Sequence, residues 1–206
     1  MFFGKTAVVF LIVALSVSLS VGAAGPRYTY IEGGVADVDR ELVIFDSGEE
    51  WFVHGSWGQQ RFHVFAEYAE ADFGIAFNPP TGDLSEDQWS IGFGWHGMLG
   101  ERADLVAEAG LIQADVVSTT VVPGFAPMVL SSDKEGFFVR GGVRWRILPR
   151  IELEGSITHV DVDNILVDEV FRLAVIGYLK RIGIGVSFAT ADERDRTEVF
   201  LRFEFR

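Results

Sequence analysis

The residues that lead up to the C-terminal arginine alternate without a break. Val199, Leu201, Phe203 and Phe205 fall on one face of an extended segment, and Glu198, Arg202 and Glu204 fall on the other. Successive side chains of a strand point to opposite sides, so this is a strand with one apolar and one charged face. The same period of two runs through most of the chain. Trp51, Val53, Gly55 and Trp57 share a face, as do Phe62, Val64, Ala66 and Tyr68. So do Trp89, Ile91, Phe93 and Trp95; Phe137, Val139, Gly141, Val143 and Trp145; and Ile182, Ile184, Val186 and Phe188. The pattern predicts ten strands, near 27–38, 49–58, 61–71, 88–97, 102–114, 136–146, 151–162, 169–180, 182–190 and 197–205, with eight as the alternative count. The first and eighth are the least regular, with apolar groups on both faces.

The connections alternate too. Tight links at 58–60, 98–101, 147–150 and 180–181 are separated by longer ones near 39–48, 72–87, 115–135, 163–168 and 191–196. Turns at one end and loops at the other, with an even strand count, describe a sheet that closes on itself and has no edges. The polar faces carry Glu32, His54, His63, Glu67, Asp104, Glu108, Arg140, Arg144, Glu152, Glu154, Arg172, Arg202 and Glu204. Unpaired in a dry core, each charge would cost several kcal/mol, so these groups need water or one another. The expectation is an all-β fold: a closed antiparallel up-and-down transmembrane β-barrel with lipid outside and a polar lumen inside. A soluble barrel inverts that arrangement, and alternation by itself does not separate the two. Trp51, Trp57, Trp89, Trp95 and Trp145 favour the membrane version, because they sit near strand ends on the apolar face, where an aromatic girdle belongs.

Lys5, an uncharged run from Thr6 to Val21 and the small residues Val21-Gly-Ala-Ala24 have the form of a cleaved export signal. The run is shorter than the roughly 20 residues that span a bilayer. Residues 1–24 are therefore assigned to a signal peptide and 25–206 to a single barrel domain. The absence of cysteine excludes a lipobox and a disulfide-stapled fold. A net charge of −13 opposes binding to nucleic acid. With 23 glycines, 18 phenylalanines and only 6 prolines, the composition suits curved sheets with interfacial belts.

The export signal, the opening Tyr28-Thr-Tyr-Ile-Glu-Gly-Gly34, the five turn–loop units and the closing Val-Phe-Leu-Arg-Phe-Glu-Phe205 resemble the small outer-membrane β-barrel proteins of Gram-negative bacteria. This is the group around the OmpA transmembrane domain and OmpX, and the opening is similar to a Tyr-x-Tyr-x-Glu-Gly-Gly sub-family of it. The resemblance is architectural over the whole chain and motif-like only at its two ends. It implies residence in the outer membrane of the cell. It also implies that Phe203 and Phe205 form the signal read by the barrel-assembly machinery, although Arg206 departs from the pattern, in which the aromatic comes last.

Two constellations invite a catalytic reading. His54-Gly-Ser56 is similar to the His/Ser spacing of an outer-membrane deacylase family, and His159-Val-Asp161 with Asp163 to the chemistry of ten-stranded outer-membrane proteases. The first pair lies on the inward face, away from lipid, and the chain is too short for a barrel reaching far beyond the membrane. No metal-ligand spacing and no cofactor motif is present, so no enzyme, metal or cofactor is expected. Within the lumen, Glu32, Glu67, Glu108 and Arg140 are expected at one depth, with Arg140 the main cation, and Arg144, Glu154 and Arg202 in a lower layer. The loop end is acidic (Asp39, Glu41, Asp46, Glu49, Glu50, Asp72, Asp83, Glu86, Asp87, Asp161, Asp163 and Asp168) and the turn end basic (Arg61, Arg102, Arg146, Arg150, Lys180 and Arg181). Facing lipopolysaccharide phosphates, such a rim would require bridging divalent cations or a basic partner. The apolar stretch from Val116 to Leu130 either extends a hairpin beyond the membrane or folds over the mouth. The expected function is that of a monomeric, non-enzymatic barrel serving envelope structure or surface interaction through its extracellular loops. The alternative is a narrow porin-like channel or a portal for small or apolar solutes.

Overall fold

A computed structural model describes residues 26–40, 45–75, 81–162, 168–192 and 194–205. The export segment, Glu41, Asp163 and Arg206 lie outside the described residues. The strands are β1 (Tyr30–Arg40), β2 (Phe45–Gln59), β3 (Phe62–Ile75), β4 (Thr81–Met98), β5 (Ala103–Val121), β6 (Met128–Leu148), β7 (Ile151–Val162), β8 (Asp168–Leu179), β9 (Ile182–Ala191) and β10 (Arg194–Glu204). Each pairs antiparallel with its neighbours in sequence, and β1 closes on β10 from Tyr30↔Glu204 to Arg40↔Arg194. The ten-stranded count stands.

The register sets the shape. From Arg144 on β6 the partners run Glu154, Ala174, Ser187, Glu198, Ala36, Glu50, Ala71, Glu86, Val116 and Ser132, so the path returns to β6 twelve residues from where it left. A stagger of that size over ten strands tilts them by about 40° and gives a backbone radius of about 10 Å. Followed along the tilt, Trp57, Trp95 and Trp145 come to one level. Trp51 and Trp89 come to a second, about 15–20 Å above it. Both levels lie on the outer face, and Tyr68 joins the upper one beside Trp51, with ring centroids 5.2 Å apart. Between them the outer face is apolar and exposed, with Ile91, Phe93, Val139, Leu173, Val186 and Leu201 among its residues. Water would not tolerate a closed apolar belt of this extent on a monomer, and lipid does.

The inner face is more mixed than alternation predicted. Two apolar clusters pack inside, one of Phe52, Ala69, Ala174, Ile176, Tyr178 and Phe200, the other of Ala36, Val38, Ala71, Phe73 and Leu84. Glycine makes room for the large rings. The Phe200 ring lies across Gly185, where a Cβ would sit 2.2 Å from its Cζ, and Phe65 lies across Gly92 in the same way, at 2.4 Å.

The strand boundaries need one correction. β4, β5 and β6 are 18, 19 and 21 residues long and run well into the segments expected as loops. The stretch from Val116 to Val121 is rich in β-branched residues and pairs with Met128–Ser132 around a turn at 122–127. It loses the apolar–polar alternation because neither of its faces meets lipid, and of the two readings of Val116–Leu130 the structure takes the extended hairpin.

Candidate functional site in the lumen

Register places Glu32 of β1 opposite Arg202 of β10, and Arg144 of β6 opposite Glu154 of β7. These neighbours seed a network across the turn-end half of the lumen. Arg202 donates to Glu32 (Nε–Oε2, 2.6 Å) and to Glu154 (Nη1–Oε1, 2.5 Å). Arg144 donates to Glu152 (Nη2–Oε1, 2.5 Å) and lies 2.9 Å from Glu154. Arg146 joins Glu152 at 2.8 Å to Glu204 at 3.0 Å. Residues ahead of β1 fold into the same mouth. Arg144 Nη1 donates to the Arg27 carbonyl at 2.8 Å, and the Tyr28 ring stacks on His96 with centroids 3.6 Å apart. Most of these charges are buried, a state that is stable only because each carboxylate meets a guanidinium and further hydrogen bonds. The turn end of the lumen is closed by side chains.

The middle of the lumen pairs His54 Nδ1 with Glu67 at 3.2 Å and His63 Nε2 with Glu108 at 2.8 Å. Arg140 donates to Glu108 at 3.1 Å and to Thr158 Oγ1 at 3.1 Å. Towards the loop end, Arg172 donates to Glu198 at 2.9 Å and Arg194 to Glu50 at 2.9 Å. Arg196 pairs with both Glu50 and Glu198, and Arg40 pairs with Glu86. Between these side chains lie spaces of about 110 Å³ low in the lumen and about 260 Å³ above it. Glu67, Arg140, Ser156, Arg172 and Arg196 border both.

All seven residues expected in the lumen, Glu32, Glu67, Glu108, Arg140, Arg144, Glu154 and Arg202, do line it. The expected role of Arg140 as main cation for Glu32 is corrected. Arg140 pairs with Glu108, while Glu32 belongs to Arg202 and, at 4.0 Å, to Arg172. The reason is the ring: β1 and β6 stand on opposite walls. Three rim assignments also change. Glu50 and Glu86 point into the lumen and not onto the acidic exterior, and Arg146 points into the lumen and not onto the basic turn end. Sequence reasoning missed Arg194 and Arg196, whose faces follow from continuing the even-numbered register of Glu198, Arg202 and Glu204 back along β10.

The catalytic readings gain no geometry. His54 is engaged by Glu67 and, at 3.4 Å, by the Tyr30 hydroxyl, while Ser56 Oγ donates to the Tyr28 carbonyl at 2.8 Å. His159 and Asp161 are exposed on the outer face of β7. Among the described residues, no three His, Asp or Glu side chains form a group that could hold a metal ion. Phe203 and Phe205 pack edge to face on the outer surface, with centroids 5.1 Å apart.

No family model matches the chain, and no curated protein matches it. Among solved structures it is similar to the KdgM porin, at 8% identity with a TM-score of 0.44, covering 86% of this chain and 99% of that one. It is similar to OprG of Pseudomonas aeruginosa at 12% identity and a TM-score of 0.45, covering 89% and 100%. It is also similar to Ail, the attachment invasion locus protein of Yersinia pestis, at 12% identity and a TM-score of 0.41, covering 86% and 100%. The class is defined by the chain's own closed pairing, exposed apolar belt and charged interior: it is a ten-stranded transmembrane β-barrel.

Proposed function

We propose that this chain is a non-enzymatic barrel of the bacterial outer membrane that acts at the cell surface through the projecting β5–β6 hairpin. The observation that carries the reading is the projection itself. The last described partner of β6 on β7 is Val162, opposite Gly136, so among the described residues Met128–Glu135 rise beyond that wall with β5 alone beside them. At the strand tilt, that is roughly 20 Å of extra height. The tip is exposed and apolar, with Val121, Val122, Phe125, Met128, Val129 and Leu130 on its surface. An exposed apolar tip on an otherwise acidic exterior is a contact surface. The closed turn end of the lumen argues in the same direction, because a solute would have to break several buried ion pairs to pass.

The test compares cells displaying the full barrel with cells displaying one in which residues 119–129 are replaced by a Gly-Asn turn. Adherence to hydrophobic and protein-coated surfaces should fall with the trimmed hairpin, while heat-modifiable gel mobility shows the barrel still folded. Planar bilayers holding the purified protein should stay silent. Undiminished adherence, or steady single-channel openings, would overturn the reading in favour of a narrow channel.

A further inference from the structure

The upper cavity is not filled by the ion network, and its lining mixes small apolar and charged side chains. Ala71, Ala114, Val162 and Ala189 present short apolar side chains from β3, β5, β7 and β9. Arg172, Arg194 and Arg196 present guanidinium groups from β8 and β10. These arginines are all ion-paired, yet the pairs are presented unevenly. Glu50 and Glu198 keep 4% and 1% of their side-chain surface open, whereas Arg172, Arg194 and Arg196 keep 24%, 29% and 19%. Glu67 and Glu86 also border the cavity, at 21% and 13%, and Arg140 at 30%, so four arginines meet three carboxylates there and the guanidinium groups are on balance the more open charges.

We propose that this cavity binds a small organic monoanion with a compact apolar body, such as an aromatic or short-chain carboxylate, entering from the loop end. A guanidinium offers paired donors that match a carboxylate in plane and spacing. Ala71 and Ala114 across the ring, and Ala189 between Arg172 and Arg196, leave space where an apolar body displaces water. A neutral apolar guest would cover the arginines without giving them an acceptor, and an inorganic anion would leave the alanines wet. The volume of about 260 Å³ lies just under the roughly 300–1,000 Å³ of sites for drug-sized molecules, which sets the guest at fragment size. Exposed carboxylates at the loop end, Asp39 and Asp83 among them, oppose the approach of an anion. Physiological salt screens that opposition beyond about 8 Å, so it slows arrival more than it weakens occupancy. The site does not depend on the projecting hairpin.

The test is a fluorine NMR titration of the refolded barrel in lipid nanodiscs, with 4-fluorobenzoate as probe and 4-fluorobenzyl alcohol as its neutral counterpart. The wild-type barrel should show saturable broadening with the carboxylate, and affinity for the alcohol should be at least tenfold weaker. Arg194→Gln should weaken carboxylate binding by a similar factor. Ala189→Phe fills the cavity and should abolish it, and Ala114→Phe fills it from the opposite wall, should the first variant fail to fold. Three results would each overturn the proposal: no saturation in the wild type, equal binding of the alcohol, or undiminished binding in a folded filled variant or in Arg194→Gln.

Discussion

Arg202→Met tests whether the turn-end half of the lumen is a dry ionic network. Arg202 keeps 2% of its side-chain surface open and meets Glu154 at 2.5 Å, Glu32 at 2.6 Å and Glu152 at 3.6 Å. Two unit charges 4 Å apart attract by about 4 kcal/mol at an effective dielectric constant of about 20, so three contacts supply a gross attraction above roughly 12 kcal/mol. Desolvation of the ions, at several kcal/mol each, cancels most of it. Deleting the arginine does not return the cancelled part, because the carboxylates stay buried. Glu32 is left with Arg172 at 4.0 Å, and Glu154 with Arg144 at 2.9 Å and Arg172 at 3.5 Å. Methionine keeps much of the chain's volume, so the loss isolates charge, and it should be about 3–5 kcal/mol. Urea unfolding in lipid vesicles, followed by the five tryptophans, measures it. Adding Glu32→Gln should restore part of the loss, so that the double variant costs less than the two singles together. A tenfold rise in salt should leave the loss in place, since buried pairs are weakly screened. A loss below about 0.5 kcal/mol, or strict additivity with Glu32→Gln, would mean that water fills this half of the lumen.

Arg140→Ala should cost less, about 1 kcal/mol by the same unfolding assay, because Arg140 keeps 30% of its side chain open and has one carboxylate partner. Phe93→Arg, midway between the two tryptophan levels, should reduce folded stability in vesicles by about 2–4 kcal/mol, and Phe203→Arg near the lower level by about 1; equal losses would contradict the depth assignment. Gly185→Ala should cost about 1–3 kcal/mol in urea midpoint terms, since the new Cβ meets the Phe200 ring, and pairing it with Phe200→Leu should recover most of that. Lys180 holds a φ of 61° in the two-residue turn between Leu179 and Ile182, so Lys180→Gly should stabilise the barrel by about 0.5–1 kcal/mol, read as a higher thermal midpoint.

The two faces of each strand were legible in the sequence because a strand inside a membrane barrel has two solvents. Val199, Leu201 and Phe203 had to be apolar against lipid, and Arg202 and Glu204 charged towards the lumen, so a period of two recorded the topology directly. The pattern failed where that contrast ended. Above the apolar belt both faces of β5 and β6 leave lipid, and a projecting hairpin looked like a loop. Sequence also told which charges face inward, but not which of them meet. Glu32 finds Arg202 because β1 closes on β10, a contact between the two ends of the chain. Arg140 misses Glu32 because closure sets them on opposite walls. Glu50 turns from rim to lumen for the same kind of reason, since a tilt of about 40° decides how far along each strand the interior begins. Partner choice, the closed turn end and the cavity above it are properties of a ring and its stagger, and neither exists until the sheet has closed.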